Sequence, residues 1–144
     1  MADEMRLRAV GVVRTPKNEE GHSVIEIVPD LDGILDGIEE FSHLLVLYWA
    51  HLRTRRDPPA IRTHPFGDAD LPLTGIFATR SPARPNPVLA DVVRLVKRDG
   101  NTLTVAGLDA LEGSPVIDIK PSTRGDHPSE GVRVAAWLDR SPRA

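Results

Sequence analysis

Residues 88–108 read VLADVVRLVKRDGNTLTVAGL, and this stretch decides the fold. Val88 to Arg98 and Asn101 to Leu108 are two runs rich in β-branched residues, meeting at Asp99-Gly100. Asp-Gly between such runs predicts a type I′ hairpin, in which both turn positions need positive φ. Runs of the same kind lie outward on both sides. Leu7 to Arg14 (LRAVGVVR), Ser23 to Val28 (SVIEIV), Thr74 to Thr79 (TGIFAT) and Val132 to Trp137 (VRVAAW) each predict a strand. His43 to His51 (HLLVLYWAH) is nearly all apolar, which predicts a central strand buried on both faces. Only Leu31 to Phe41 predicts a short helix or turn, interrupted by Gly33 and Gly37. Thirteen prolines fall mostly between these runs. The expected fold class is mainly β: a small closed or partly closed β-barrel with short helical turns, not alternating βαβ units. Residues 1–138 are expected to form a single domain and residues 139–144 a flexible tail.

Composition narrows the chemistry. The chain has 144 residues, 40% of them hydrophobic, enough for a core without staples. It contains no cysteine, which excludes disulfides, zinc-thiolate sites and a thiol nucleophile. Charged residues occupy the first positions, and no apolar run approaches the length of a membrane span. A cytoplasmic location without membrane contact is expected. The net charge of −3 is unevenly spread. Glu19 to Glu40 holds eight acidic residues and no Lys or Arg, whereas Phe41 to Arg98 holds nine basic and four acidic residues. The second stretch can form a basic face for phosphates, or can be ordinary solvated surface.

Dinucleotide, phosphate-loop, zinc-protease and serine-hydrolase signatures are missing. His43 and His51 are too far apart to share an ion, roughly 26 Å along a strand, and no metal is expected. Arg80-Ser81-Pro82-Ala83-Arg84-Pro85-Asn86-Pro87 is more informative. Its prolines fix φ and push Ser81, Arg84 and Asn86 toward extended conformations. A loop stiffened before any ligand arrives, carrying two arginines and an asparagine, suits a preorganised site; a plain connector has the same composition. In Asp118-Ile119-Lys120, the two charged residues share a face of an extended chain with Val116, while Ile117 and Ile119 face the other way. The Asp-Lys pair can orient a reacting group or can be a simple surface ion pair.

Four segments resemble the TrmO (TsaA-like, YaeB-like) family of S-adenosylmethionine-dependent tRNA methyltransferases. They are Gly11-Val12-Val13-Arg14-Thr15-Pro16, the segment 37–44 (GIEEFSHL), the segment 75–87 (GIFATRSPARPNP), and the segment 108–121 from Leu108-Asp109 to Ile119-Lys120-Pro121. They follow the family's order and span residues 11–121. The resemblance implies a barrel methyltransferase working as a homodimer with S-adenosyl-L-methionine. It implies cofactor contacts at His51, Leu52, Arg80, Ala90, Ala106, Gly107, Leu108 and Asp109. Arg80 would pair with the methionine carboxylate and Asp109 would hold ribose hydroxyls. The implied substrate is the tRNA anticodon loop, with N6 of threonylcarbamoyladenosine at position 37 as methyl acceptor. On that reading Asp118 takes the N–H of the acceptor, Lys120 orients it, and Arg84 and Asn86 hold the nucleoside or a phosphate.

This sequence also departs from the family pattern. A Pro-Arg-Gln element expected between the first two strands is replaced by Lys17 to His22 (KNEEGH). The family's Ile-Gly-(Leu/Met)-Ser is Val88-Leu89-Ala90-Asp91, and the aromatic after IKP is Ser122. The bacterial tRNA enzymes of the family carry a C-terminal extension, and none is expected here. Two other readings stay open: a methyltransferase with a small-molecule acceptor, and a non-catalytic S-adenosylmethionine-binding module.

Overall fold

A computed structural model describes residues 3–15, 19–53 and 58–140. The strands are β1 (Gly11–Arg14), β2 (His22–Ile27), β3 (His43–Trp49), β4 (Arg62–Thr63), β5 (Thr74–Gly75), β6 (Val88–Asp99), β7 (Thr102–Ala106) and β8 (Pro115–Pro121). Six of them close an antiparallel barrel in the order β1-β2-β7-β6-β3-β8. The protein is mainly β, and among the described residues the helical pieces are short 3-10 stretches such as Pro29–Leu31 and Ile38–Glu40. These two turns bracket residues 32–37, where Arg98 donates to the Leu35 carbonyl at 3.0 Å and pairs with Asp36 at 3.1 Å; it also pairs with Glu39 at 3.2 Å.

The hairpin at 88–108 supplies the longest strand. Its first half pairs with β3 and its second half with β7, so β6 joins two walls of the barrel. The loop differs from a type I′ turn. Asp99 pairs with Thr102, leaving Gly100 and Asn101 in the turn, and of these only Gly100 has positive φ (59°). A turn that needs positive φ at its first position alone places the glycine there.

Alternation fills the interior. Val13, Ile25, Leu44, Val46, Val93, Leu103, Val105 and Val116 are all fully buried. Each such side chain contributes about 1.5–3 kcal/mol relative to exposure. β3 is buried on one face only: Leu44, Val46 and Tyr48 point inward, whereas Leu45, Leu47 and Trp49 remain partly accessible. Barrel closure gives each strand one inner face, which overrides the two-sided burial expected from its apolar run.

The chain divides into two compact units, residues 1–52 with 88–122, and residues 53–87 with 123–144. The barrel is the first. The second holds the β4–β5 pair, short turns, and Phe66 edge-on to Trp137 with ring centroids 5.7 Å apart. Leu71, Ile76 and Pro65 are its buried residues among those described.

Three other expectations are corrected. The first strand begins at Gly11 rather than Leu7: the ladders to β2 and β8 start there, with Val10 adding one bond to each neighbouring segment. Thr74 to Thr79 is a strand for two residues and then turns over Ile76–Ala78. Thr79 causes the turn: its N–H and its hydroxyl both donate to the Ile76 carbonyl, at 3.1 and 2.8 Å, so local bonds replace a ladder. Val132 to Trp137 forms no strand; Val132 and Val134 are exposed, and no described strand pairs with this stretch. Of the expected tail, Asp139 and Arg140 belong to the turn Ala136–Arg140, and residues 141–144 lie outside the described residues. Residues 16–18, at the replaced Pro-Arg-Gln element, and 54–57 lie outside them as well. Among the described residues, no helix is long and apolar enough to cross a membrane, and no cluster of His, Asp or Glu could hold a metal ion.

Candidate functional site

Strand register places several expected residues on one outer wall of the barrel. Directly opposed residues project to the same face. Asp118 of β8 opposes Leu47 of β3, which opposes Ala90 of β6. In the next row Lys120 opposes Leu45, which opposes Val92. Further along β6, Arg94 opposes Ala106 of β7. Ala90 and Ala106 are small residues of this wall, with Arg94, the partner of Ala106, four positions beyond Ala90 on β6.

A β-bulge sets the direction of the charged pair. The β3–β8 register shifts between Leu47 and Tyr48, so that Asp118 opposes Leu47 but Val116 opposes Tyr48. The extra residue, Ile117, reverses the alternation. Val116 therefore points into the core, Ile119 packs against it, and Asp118 and Lys120 point outward. This corrects the shared face of Val116, Asp118 and Lys120, which assumed an unbroken strand. Lys120 Nζ lies 2.6 Å from Asp118 Oδ2, and the Ile119 N–H donates to Asp118 Oδ1 at 2.9 Å. Both carboxylate oxygens are thus oriented. The side chains are 60% and 45% exposed, so the pair adds little stability and acts through geometry.

Behind this wall, the inner face of β6 carries a second polar cluster. The Tyr48 hydroxyl donates to Asp91 Oδ2 at 2.8 Å, and the Asp109 N–H donates to the same oxygen at 3.0 Å. Burial pushes the Tyr48 phenol well above its ordinary value, and its hydrogen bond to Asp91 and the charges of Asp91 and Asp109 act in the same direction. Thus the Ala106-Gly107-Leu108-Asp109 segment is tied to β6. His51 lies beyond β3, with its Nε2 3.5 Å from where a Cβ on Gly113 would stand. Leu52 beside it is 64% exposed.

In the second unit the proline loop is stitched to itself. Ser81 N–H reaches Thr79 Oγ1 at 3.3 Å, and Ala83 N–H reaches Ser81 Oγ at 3.2 Å. Arg84 Nη1 donates to the carbonyls of Thr79 and Ser81, both at 3.0 Å, with its guanidinium carbon 5.8 Å from the Phe77 ring centroid. Arg84 thus clamps its own loop. Arg80 and Asn86 are exposed, and among the described residues no hydrogen bond or ion pair engages either side chain. Phe77 is 81% exposed. Phe77, Tyr48 and Asp91 carry no role in the sequence pattern alone. The available signal for the last was a single carboxylate inside the apolar run VLADVV.

The closed antiparallel barrel sets this chain apart from doubly wound parallel sheets. The model of the tRNA-methyltransferase O N-terminal domain matches residues 9–125, and the chain belongs to that family. A "Probable S-adenosyl-L-methionine-binding protein" of Methanothermobacter thermautotrophicus is 46% identical over 129 residues, covering 82% of this chain and 90% of the relative. An S-adenosyl-L-methionine-binding protein of Archaeoglobus fulgidus is 37% identical over 127 residues, covering 81% of this chain and 88% of the relative. The crystal structure of TrmO from Pseudomonas aeruginosa superposes with a TM-score of 0.69 at 27% identity, covering 90% of this chain. This chain spans 62% of that solved chain, less than two thirds of its length.

Proposed function

We propose that this protein methylates tRNA at N6 of threonylcarbamoyladenosine 37 in the anticodon loop, working as a homodimer. It is an S-adenosylmethionine-dependent methyltransferase. The single observation that carries the acceptor reading is the row Asp118-Leu47-Ala90, which puts an oriented carboxylate on the wall that holds two of the expected cofactor contacts.

The residues fit the cofactor's chemistry. The Arg80 guanidinium, free of internal partners among the described residues, can take a carboxylate in a bidentate pair. Asp109 supplies an acidic group for ribose hydroxyls, and Ala90 and Ala106 leave room beside the strands. His51 and Leu52 stand at the end of β3. When bound, the cofactor supplies an electrophilic methyl on a sulfonium.

The chain's own task is alignment and proton handling, since orientation supplies much of the acceleration in a displacement of this kind. Asp118 accepts the N–H of the acceptor amine, whose lone pair is otherwise delocalised, and Lys120 holds the carboxylate in place. Arg84 fixes the loop from which Asn86 and Arg80 project. An unpaired loop base can stack on an exposed aromatic, and Phe77 with Arg84 behind it offers such a face. The partly exposed apolar residues of the wall, Leu45, Leu47 and Val92, support a second copy as partner.

Nucleoside mass spectrometry of tRNA incubated with labelled S-adenosylmethionine tests the reading. A labelled methyl on the modified adenosine is expected. Binding of cofactor without transfer to any tRNA nucleoside would overturn the tRNA acceptor. Light scattering that reports a monomer of 15.8 kDa would overturn the dimer.

A further inference from the structure

We infer that Asp91 is a positioning residue whose Oδ2, accepting from both the Tyr48 hydroxyl and the Asp109 amide, holds the 107–109 segment in the shape that receives the cofactor. The inference rests on the proposed cofactor site and extends it to two residues outside it. Asp91 opposes the fully buried Val46, so its side chain leaves β6 on the inner face. Tyr48 is itself buried, at 3% exposure, and its hydroxyl needs an acceptor there. The two donors lie 43 and 18 residues from Asp91 in sequence, so one oxygen ties β3, β6 and the 107–109 segment together.

The position of the tether matters. The ladder between β6 and β7 ends at Arg94 and Ala106. Beyond it the chain leaves regular pairing, and the Asp109 N–H then meets Asp91, three residues back along β6 from Arg94. A carboxylate is a strong acceptor for two donors at once, because its charge strengthens both bonds. Its effect is to remove conformational freedom from the segment before binding, which improves affinity without adding a contact to the ligand.

The test uses the full chain with Asp91→Ala, Asp91→Asn and Tyr48→Phe. Asp91→Ala is expected to raise the Kd for S-adenosylmethionine about tenfold, Tyr48→Phe about threefold, and Asp91→Asn least, since its amide oxygen still accepts. At saturating cofactor kcat is expected to stay near the parent value, so the loss appears in KM. Hydrogen exchange of the 107–109 amides is expected to quicken in Asp91→Ala while the β3 and β7 amides are unchanged. An unchanged Kd in a folded Asp91→Ala, or unchanged exchange at 107–109, overturns the inference. If Asp91→Ala does not fold, Tyr48→Phe decides by the same two measurements. A parent chain that binds no S-adenosylmethionine refutes the cofactor reading itself, and the exchange measurement then reports separately on the tether.

Discussion

Arg84 and Tyr48 show how single side chains carry this molecule. Arg84 spends its Nη1 on the Thr79 and Ser81 carbonyls, so its first effect is on the loop rather than on any ligand. Arg84→Ala is expected to slow methyl transfer by roughly tenfold to a hundredfold, through misplacement of Arg80 and Asn86. The barrel core, which Arg84 does not enter, should keep its melting transition. Single-turnover rates and thermal melts on the same sample check both halves, and parental turnover would make the loop a mere connector. Tyr48 is the chain's only tyrosine, so its titration can be read without interference. Its folded-state pKa is raised above the ordinary 10.0, so the folded chain holds the phenolic proton more tightly than the unfolded chain. The stability linked to this proton is complete below pH of about 10 and falls as pH rises above it. Phenolate absorbance should therefore rise steeply, together with loss of β-sheet circular dichroism. A gradual titration near the ordinary value in a folded chain would contradict the Tyr48–Asp91 contact.

Among elements, β1 and β2 depend on close backbone approach. Gly11 opens β1 opposite Ile27, and a Cβ there would stand 2.6 Å from the Glu26 carbonyl oxygen. That contact is with backbone, which cannot rotate away. Gly11→Ala is thus expected to destabilise the barrel by about 1–3 kcal/mol, read as a lowered denaturant midpoint. An unchanged midpoint would mean that β1 shifts freely against β2. The bulge at Ile117 acts on the neighbouring strand: by adding one residue to β8 it lets Val116 fill the core while Asp118 and Lys120 face outward two positions later. Fold and candidate chemistry are served by the same irregularity.

For the whole molecule, ligand linkage gives the most direct measurement. S-adenosylmethionine that binds only the folded chain should stabilise it by about 2.7 kcal/mol at a hundredfold excess over Kd. A thermal-shift titration should show the melting temperature rising with the logarithm of ligand concentration. No shift and no calorimetric heat at millimolar ligand would rule out the cofactor site. The uneven charge bears on the proposed tRNA substrate. Of the nine basic residues between Phe41 and Arg98, Arg98 is neutralised by Asp36 and Glu39, so in a chain of net charge −3 any attraction for phosphate rests on the others. Binding of tRNA should weaken steeply as salt rises, with a slope that reports how many phosphates are neutralised.

What the sequence determined by itself was local. Apolar and β-branched runs marked five of the six barrel strands, β8 being the one missed; Gly100 marked the hairpin loop, and the run GIFATRSPARPNP carried the family resemblance, each a property of neighbouring residues. What only the tertiary structure decided was long-range. Closure of the barrel left the outer face of β3 partly accessible, although its apolar run suggested burial on both sides. The register slip at Ile117 turned Asp118 outward, and no alternation rule contains an inserted residue. The Arg84 guanidinium turned back onto its own loop, where a chain pattern offered two projecting arginines. Tyr48, Asp91 and Asp109 met around one oxygen because three separate segments fold to the same place. Periodicity fixes which side of a strand a residue takes, whereas contacts between distant segments exist only once loop-closure entropy has been overcome by the whole fold.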